Sequence, residues 1–303
     1  MSVSSRKDPA AVASLLVEAL PYIREFSGHI VVIKYGGNAL AASTDVVGDA
    51  DDQAAESIGN LASFAEDVVL LRSVGMLPVV VHGGGPQIGA LMRRLGKEVE
   101  FRDGLRVTDA ETLDIARMVL VGKVNREIVS AINVHAPLAV GLSGEDAHLI
   151  TAEQRSVQLG YVGDIIRVDP TMVTNLLTQG LIPVVATVGI GAGAQAYNIN
   201  ADTAAGAIAA ALSADKLVYL TDVSGVQSDR HDPASLIGQI DADGIDGLVE
   251  RGVVDGGMIP KVEAAAHAVR SGVRRAHILD GRVAHALLVE LFTDTGVGTM
   301  VSP

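Results

Sequence analysis

The run HIVVIK at residues 29–34, followed at once by YGGN, sets a pattern that recurs four more times along the chain. The recurrences are LPVVVH before GGGP at 83–86, APLAV before GLSG at 141–144, LIPVVATV before GIG at 189–191, and KLVYLTD before VSG at 223–225. Because these runs are continuously apolar rather than alternating, they predict strands buried on both faces, which are typical of a largely parallel sheet.

Helical stretches fill the gaps between these strands. The predicted helices are 61–74 before Gly75, a long helix opened by a capping box at Thr108–Glu111 and running towards Ile132, Asp202 to Ser213, and Val262 to Ser271. Strands alternating with helices predict an α/β fold, a three-layer αβα sandwich around a largely parallel open sheet. Ligands of such sheets bind at the carboxyl ends of the strands, where the glycine turns lie.

The composition describes a folded, acidic chain. Of its 303 residues, 49% are hydrophobic and 33 are glycine, which excludes a disordered polypeptide. A formal net charge of −13 argues against nucleic acid and anionic membranes as partners. The lack of cysteine and of any apolar run of about 18 residues favours a cytoplasmic protein without disulfides, thiolate chemistry or a membrane span.

Two segments lie outside the strand pattern. The first residues carry a helically spaced apolar stripe that predicts an amphipathic helix ahead of the main fold, with a kink or break near Pro21. The stripe consists of Val12, Leu15, Leu16, Leu20 and Ile23. Residues 41–60 are acidic, rich in small residues and weakly periodic, and they predict a surface loop.

Four sequence patterns of nucleotide or metal binding are absent or incomplete. The sequence has no G-x-x-x-x-G-K-[ST], which excludes a P-loop NTPase. Residues 191–196 match G-x-G-x-x-A, but the helix that should begin there is delayed. We therefore interpret the match as coincidental and not as evidence of a dinucleotide-binding fold. The acidic turns within 227–246 lack the twelve-residue calcium frame, and the eight histidines show no metal-ligand spacing.

Three glycines and four charged residues remain as candidates for a ligand site. Consecutive glycines at 83–85 favour close approach of backbone to a ligand, and a glycine turn before a helix presents N–H groups to phosphate. Lys261 follows Pro260 in the first turn of a helix, where the macrodipole disfavours a cation unless an anion binds. Lys34 ends the first strand, and either solvent or phosphate would suit it.

The other two charges, like the lysines, which could also be ordinary surface residues, have competing interpretations. Asp202 suits an N-cap, and it would also hold two lysines if the fold brought them together. Arg106 is either a loop charge on the surface or a fork-shaped partner for a substrate carboxylate.

In their order, the motifs resemble the acetylglutamate kinase family, which has the two-lobed amino-acid kinase fold. The similarity runs from about residue 20 to residue 301 and includes VVIKYGGNAL, VVVHGGGPQI, GLRVTDAE, ARMVLVGKVNREIV, GLSGEDA, NINADTAA, KLVYLTDVSGV, GGMIPKVEAA and HALLVELFTDTGVGT. The resemblance implies phosphorylation of the side-chain carboxylate of N-acetyl-L-glutamate by ATP with Mg²⁺, an early step of arginine biosynthesis. It also implies one domain over 28–303 after a helical extension over 1–27, with an acetylglutamate lobe at about 28–200 and a nucleotide lobe at about 201–303.

Carried onto matching positions, the resemblance implies that Lys34 and Lys261 stabilise the transferring phosphoryl group while Asp202 organises them. The remaining roles are grouped by ligand: phosphate on Gly36 and Gly37, acetylglutamate on Gly84, Gly85, Arg106 and Asn198, and ATP near Thr221, Asp222, Gly225 and Gly257. Arg106 would bind the α-carboxylate. No tightly bound cofactor and no resident metal are implied.

Both ends of the chain resemble the arginine-inhibited branch of the family, which implies a homo-hexamer built as a trimer of dimers. The arginine site would consist of Tyr22, Glu290, Gly296 and Gly298. The long acidic stretch at 41–60 and the short turn at 192–197 depart from the family pattern, and any signalling-protein partner stays open. The alternatives are a kinase of the same fold acting on another carboxylate or on carbamate, and a non-catalytic arginine sensor or scaffold.

Overall fold

The structure is a computed structural model that describes residues 9–36, 50–229, 232–254, 258–293 and 296–303. Its strands, numbered in chain order, are β1 (Ile30–Tyr35), β2 (Leu77–His82), β3 (Phe101–Arg102), β4 (Leu105–Arg106), β5 (Ala139–Ser143), β6 (Ile150–Gln154), β7 (Gly163–Val168), β8 (Ile182–Ala186), β9 (Val188–Ile190), β10 (Ala196–Asn198), β11 (Lys216–Thr221), β12 (Gln239–Asp241), β13 (Arg275–Asp280) and β14 (Thr299–Ser302).

The α-helices of the described residues separate these strands. They are α1 (Pro9–Phe26), α2 (Ala50–Ser73), α3 (Gly85–Arg94), α4 (Ala110–Arg117), α5 (Asn125–Asn133), α6 (Thr171–Thr178), α7 (Ala201–Ala211), α8 (Ile245–Glu250), α9 (Ile259–Arg270) and α10 (Ala286–Phe292). A π-helical segment, Met118–Val124, joins α4 to α5.

Eight strands form the main sheet in the order β12-β14-β13-β11-β1-β2-β8-β5. The neighbours from β13 to β5 pair in parallel, and β14 pairs antiparallel with β13. The five apolar runs of the sequence supply β5, β8, β2, β1 and β11, which confirms the prediction of a largely parallel sheet. A second sheet, β10-β9-β6-β7, and the short β3-β4 hairpin lie outside it.

Alternate residues of β1 show the three layers. Val31, Ile33 and Tyr35 belong to one hydrophobic core, whereas Val32 belongs to the other. The first core includes residues of α2, α4 and α5, and the second includes residues of α6, α7 and α9. Helices therefore cover both faces of the sheet, and the predicted αβα sandwich is confirmed.

The prediction of a loop over 41–60 is wrong for its second half. Residues 50–60 form the first turns of α2, which continues to Ser73 without interruption, whereas 41–49 lie outside the described residues. Alanine, glutamine and glutamate have high helix propensity, so a stretch rich in them forms a helix without an apolar stripe. Periodicity alone therefore placed the helix start too late.

Two predicted helix caps are shifted by one or two residues. Asp109, not Thr108, caps α4, since its Oδ1 accepts a hydrogen bond from Thr112 N at 2.8 Å. Asn200, not Asp202, caps α7 and accepts from the N–H groups of Asp202 and Thr203. The predicted long helix is present as α4, the π-helical segment and α5 in succession.

The predicted N-terminal helix is present as α1. It continues through Pro21 to Phe26, so the break expected near Pro21 is absent. Phe26 at its end is buried, whereas Leu16 and Val17 are 65% and 68% exposed. None of the described helices combines the length and apolar character that a membrane crossing requires.

Candidate active site

Lys34 and Asp202 form an ion pair at the carboxyl edge of the sheet. Lys34 shares with Val32 the sheet face covered by α7, and Asp202 lies in the first turn of α7. Lys34 Nζ is 2.8 Å from Asp202 Oδ1, and the side chains are only 10% and 18% exposed. The structure thus brings together two of the three residues predicted to be catalytic.

Lys261 lies at the same edge, in the first turn of α9. α7 and α9 pack against each other, with Gly206 facing Ala264 and Ala268. Both helices precede parallel strands, so both begin at the carboxyl edge. Lys261 Nζ is 4.0 Å from Asp222 Oδ1, an ion pair that sequence analysis did not anticipate.

The backbone at Gly36 lies close to β11 and to the Lys34 side chain. A Cβ at this position would lie 3.0 Å from Leu220 O and 3.2 Å from Lys34 Nζ, which explains why glycine stands there. Gly36 N, which sequence analysis assigned to phosphate, donates to Leu220 O at 3.3 Å. Gly37, which was predicted to bind phosphate, and Gly257, which was predicted to lie near ATP, are outside the described residues.

A cavity of about 140 Å³ adjoins the ion pair and contains all four residues predicted to bind acetylglutamate. Gly84, Gly85, Arg106 and Asn198 line it together with Asn200 and Ala201, which directly precede Asp202. Gly83 lies close to the same helix start: a Cβ built on it would be 3.2 Å from Ala201 Cβ.

Arg106 is 7% exposed and points at the glycine loop rather than at solvent. Its Nη2 donates to Gly85 O at 2.7 Å, and its guanidinium carbon lies 4.8 Å from the centre of the Phe101 ring. Burial and the nearby charge of Arg93 lower the pKa of Arg106. Within the described part of the chain no carboxylate compensates this charge, so an anionic ligand would stabilise it.

The π-helical segment packs against the glycine loop at Gly84. A Cβ on Gly84 would lie 2.9 Å from Leu120 Cδ2 and 3.3 Å from Val124 Cγ2. Both residues belong to the segment, and π-helical turns are frequent at functional sites. A side chain at position 84 would therefore displace Leu120 or Val124, next to the start of α3.

The residues assigned to ATP lie near the carboxyl end of β11, but two of them have local roles. Thr221 is buried, and its Oγ1 accepts from Val223 N at 3.1 Å. Gly225 has a φ of +139°, and a Cβ there would meet Thr299 Oγ1 at 2.6 Å. Packing against Thr299 accounts for this glycine without a nucleotide.

A second cavity, of about 490 Å³, lies between α1 and the C-terminal segment and contains all four residues predicted to bind arginine. These are Tyr22, Glu290, Gly296 and Gly298. Glu290 is buried and accepts from His277 Nδ1 at 2.6 Å and from Val297 N at 2.8 Å. Burial alone would raise the pKa of Glu290, but these hydrogen bonds outweigh it and lower that pKa.

Several residues of the two cavities escaped sequence analysis. Thr187 lines the first cavity, and Lys216, Arg275 and His277 line the second. Burial lowers the pKa of Lys216 to about 8. Lys216 begins the strand KLVYLTD, and a charge at the start of an apolar strand is the signal that would have marked it.

The αβα fold, with a glycine loop at a helix start and a lysine–aspartate pair at the sheet edge, is that of the amino-acid kinase class of phosphotransferases. A family model described as the amino acid kinase family matches residues 29–280. The chain belongs to this family. Its resemblance to acetylglutamate kinases is likewise confirmed, because its curated relatives include many of that name over nearly its full length.

The relative from Symbiobacterium thermophilum, an acetylglutamate kinase, is 53% identical over 95% of this chain and 97% of its own. The acetylglutamate kinase of Pelotomaculum thermopropionicum is 50% identical over 97% of this chain and 98% of its own. Among solved structures, N-acetylglutamate synthase from Neisseria gonorrhoeae, complexed with coenzyme A and N-acetyl-glutamate, is similar with a TM-score of 0.80 and 28% identity. The match covers 96% of this chain and 63% of the synthase chain.

Proposed function

We propose that this protein transfers the γ-phosphoryl group of ATP to the side-chain carboxylate of N-acetyl-L-glutamate. The observation that carries the proposal is the cavity beside Lys34 and Asp202, where the buried Arg106 faces the glycine loop and no carboxylate of the described residues compensates its charge. A ligand with an α-carboxylate for Arg106 and a second carboxylate reaching towards Lys34 fits this arrangement. The names of the curated relatives support the same reaction.

In the reaction, an oxygen of the side-chain carboxylate forms a bond to the γ-phosphorus while the bond from phosphorus to the bridging oxygen breaks. ADP leaves, and the acyl phosphate N-acetyl-L-glutamyl 5-phosphate remains. Negative charge spreads over the transferring oxygens, and Lys34 and Lys261 stabilise it while Asp202 holds Lys34 in place. No protein nucleophile takes part, and Mg²⁺ arrives with ATP as part of the co-substrate.

Asn198 would orient the acetamido group of the substrate. Its Nδ2 donates to Thr108 Oγ1 at 3.2 Å, which fixes the amide at the cavity wall. Thr108 in turn donates to Arg106 O at 2.8 Å, so the residues proposed for the two ends of the substrate share one hydrogen-bonded support. The nucleotide would occupy the edge formed by Thr221 to Gly225 and the start of α9.

The test is a hydroxamate-trapping assay of acyl phosphate with ATP and three acceptors. We expect trapped product with N-acetyl-L-glutamate and little with glutamate or aspartate, because only the acetylated substrate lacks an α-ammonium group beside the buried Arg106. Product with carbamate or with another carboxylate in preference would assign the chain to a different branch of the family, and no product would favour a non-catalytic role.

We infer further that arginine inhibits this protein by binding the cavity between α1 and the C-terminal segment. Glu290 supplies negative charge for a cationic side chain, and Lys216 and Arg275 supply positive charge for an α-carboxylate. Burial lowers the pKa of His277, which favours the neutral ring, so His277 does not offset the negative charge of Glu290.

The same inference includes a hexamer assembled through α1. Leu16, Val17 and Leu20 are exposed on a helix at the protein surface, and a second copy of α1 would cover them. Deleting residues 1–26 should yield active dimers with weakened arginine inhibition. Light scattering together with an arginine titration tests this, and a truncated hexamer that arginine inhibits normally would contradict it.

A further inference from the structure

Behind the glycine loop lies a histidine with no role in the chemistry described so far. His82 is the last residue of β2 and is fully buried, and it directly precedes Gly83. Its Nδ1 lies 3.0 Å from Gly83 O, and its Nε2 lies 3.1 Å from Asn125 Nδ2. It thus joins the loop to the first residue of α5.

The neighbours of Asn125 determine which ring nitrogen of His82 carries the proton. Asn125 Nδ2 donates to Val184 O at 2.9 Å, and Asn125 Oδ1 accepts from the guanidinium of Arg126. These two contacts fix the orientation of the amide, with its nitrogen towards His82. Asn125 Nδ2 also lies 3.3 Å from Leu142 O, so the contact with Gly83 O is needed to decide the tautomer. A carbonyl oxygen only accepts and an amide nitrogen only donates, so His82 Nδ1 must carry the proton and Nε2 must be the acceptor. The Nδ1–H group then donates to Gly83 O.

The charge state of the His82 ring agrees with this tautomer. Burial, with a smaller contribution from the positive charge of Arg126, lowers the pKa of His82 to about 4, so the ring is neutral near pH 7. A neutral ring has one donor and one acceptor nitrogen, and both are used here.

The hydrogen bond to Gly83 O controls the direction of the next N–H group. In a planar trans peptide the C=O and the following N–H point in opposite directions, so Gly84 N–H points away from His82. Gly84 lines the cavity, and with Gly85 it begins α3, whose first N–H groups have no acceptor within the helix. Rotation of the Gly83–Gly84 peptide, which two glycines permit, would turn that donor away.

We propose that His82 is a positioning residue that, held by Asn125, fixes the glycine loop with its Gly84 N–H group directed at the bound acidic substrate. The inference rests on the proposed function for the identity of the substrate. His82 does not touch the substrate, so it acts through the loop.

Two amide variants separate the two hydrogen bonds of the ring. In His82→Asn the amide nitrogen takes the place of Nδ1 and keeps the donor to Gly83 O, whereas in His82→Gln the amide reaches only the place of Nε2. We expect KM for N-acetyl-L-glutamate to rise about ten-fold in His82→Gln, the cost of one misdirected hydrogen bond, and far less in His82→Asn. KM for ATP should stay unchanged in both.

His29→Gln is the matched control, because His29 lies before β1 at the opposite edge of the sheet and pairs with Asp215 at 2.9 Å. It should leave both KM values unchanged. A merely structural role of His82 would lower the melting temperature and raise KM alike in both amide variants, and that result would overturn the proposal.

A substrate-free measurement distinguishes this proposal from the proposed function. In spectra of protein labelled with ¹⁵N-histidine, His82 should appear as the Nδ1–H tautomer, and with ¹⁵N-glycine the Gly84 amide should shift in His82→Gln but little in His82→Asn. An Nε2–H tautomer, or equal shifts in the two variants, would overturn the positioning role. A wild-type chain that fails to phosphorylate acetylglutamate would instead overturn the proposed function.

Discussion

Replacing Lys34 by methionine tests the ion pair that the proposed mechanism depends on. Methionine keeps the length of the aliphatic chain and removes the charge, so packing on the α7 side of the sheet is largely retained. We expect kcat to fall by about 10²–10³, roughly 2.7–4 kcal/mol, as when one preorganised donor to a developing charge is lost.

The distance in the structure also sets the expected loss of stability. At 2.8 Å the gross attraction between Lys34 and Asp202 is about 6 kcal/mol for an effective dielectric of about 20. Desolvation of both groups cancels part of it, and removing one partner of a buried pair costs about 3–5 kcal/mol. Because the two side chains keep 10% and 18% of their exposure, we expect the lower end of that range.

A double-mutant cycle separates the two effects. Adding Asp202→Asn to Lys34→Met removes the unpaired buried carboxylate, so urea unfolding should recover most of the lost free energy of unfolding. Turnover should not recover, because neither substitution restores a cation at the phosphoryl group. Lys97→Met is the control, since Lys97 also pairs at 2.8 Å but with the exposed Asp109 and Glu111, and it should alter both quantities much less.

Two results would refute this reasoning. Near-wild-type kcat in Lys34→Met would remove Lys34 from the mechanism. A double variant that regains turnover along with stability would show that Lys34 serves the fold alone.

Three further predictions concern single residues. Arg106→Lys should raise KM for acetylglutamate by about ten-fold or more while KM for ATP moves little, because lysine lacks the bidentate fork; equal shifts in steady-state kinetics would contradict the assignment. Gly36→Ala should lower kcat, since its Cβ would lie 3.2 Å from Lys34 Nζ and displace the ammonium; unchanged single-turnover rates would count against it. The folded-state pKa of His82 is about 4, below its ordinary 6.5, so its contribution to stability is present above pH 6.5 and is lost as the pH falls towards 4, by about 3 kcal/mol. Urea unfolding of wild type and His82→Gln at pH 7 and 4.5 checks this, and identical pH dependence of the two would disprove it.

The parts of the fold that were predictable are those with a strong local signal. A strand buried on both faces is continuously apolar, and the sharp turn into a helix favours glycine. The carboxyl ends of β1, β2 and β11 could therefore be predicted from HIVVIK, LPVVVH and KLVYLTD. The same signals located the cavity at the glycine loop, because parallel strands bring their glycine turns to one edge.

Contacts between distant residues were not predictable from local patterns. His82 and Asn125 are 43 residues apart, and the tautomer of the ring depends on which carbonyl the Asn125 amide faces. Lys216 and Glu290 share a cavity only because β11 lies beside β13 in the sheet and α10 contacts both β13 and α1. Helix α2 was placed too short for a different reason, since its first turns follow intrinsic propensity rather than amphipathic periodicity.

Asp202 shows how one local detail decides a functional question. The sequence is compatible with two roles for it, helix cap and partner of lysines, and one carboxylate cannot serve both fully. Asn200 performs the capping, accepting from the N–H groups of Asp202 and Thr203 at 2.9 and 3.0 Å. The Asp202 carboxylate is therefore available to Lys34, and its place in the first turn of α7 favours its negative charge through the helix dipole. The buried Tyr219 hydroxyl donates to Asp202 O at 3.3 Å and holds the same turn from the sheet side. Because Asn200 provides the cap two residues earlier, Asp202 can pair with Lys34 at the sheet edge, as the proposed mechanism requires.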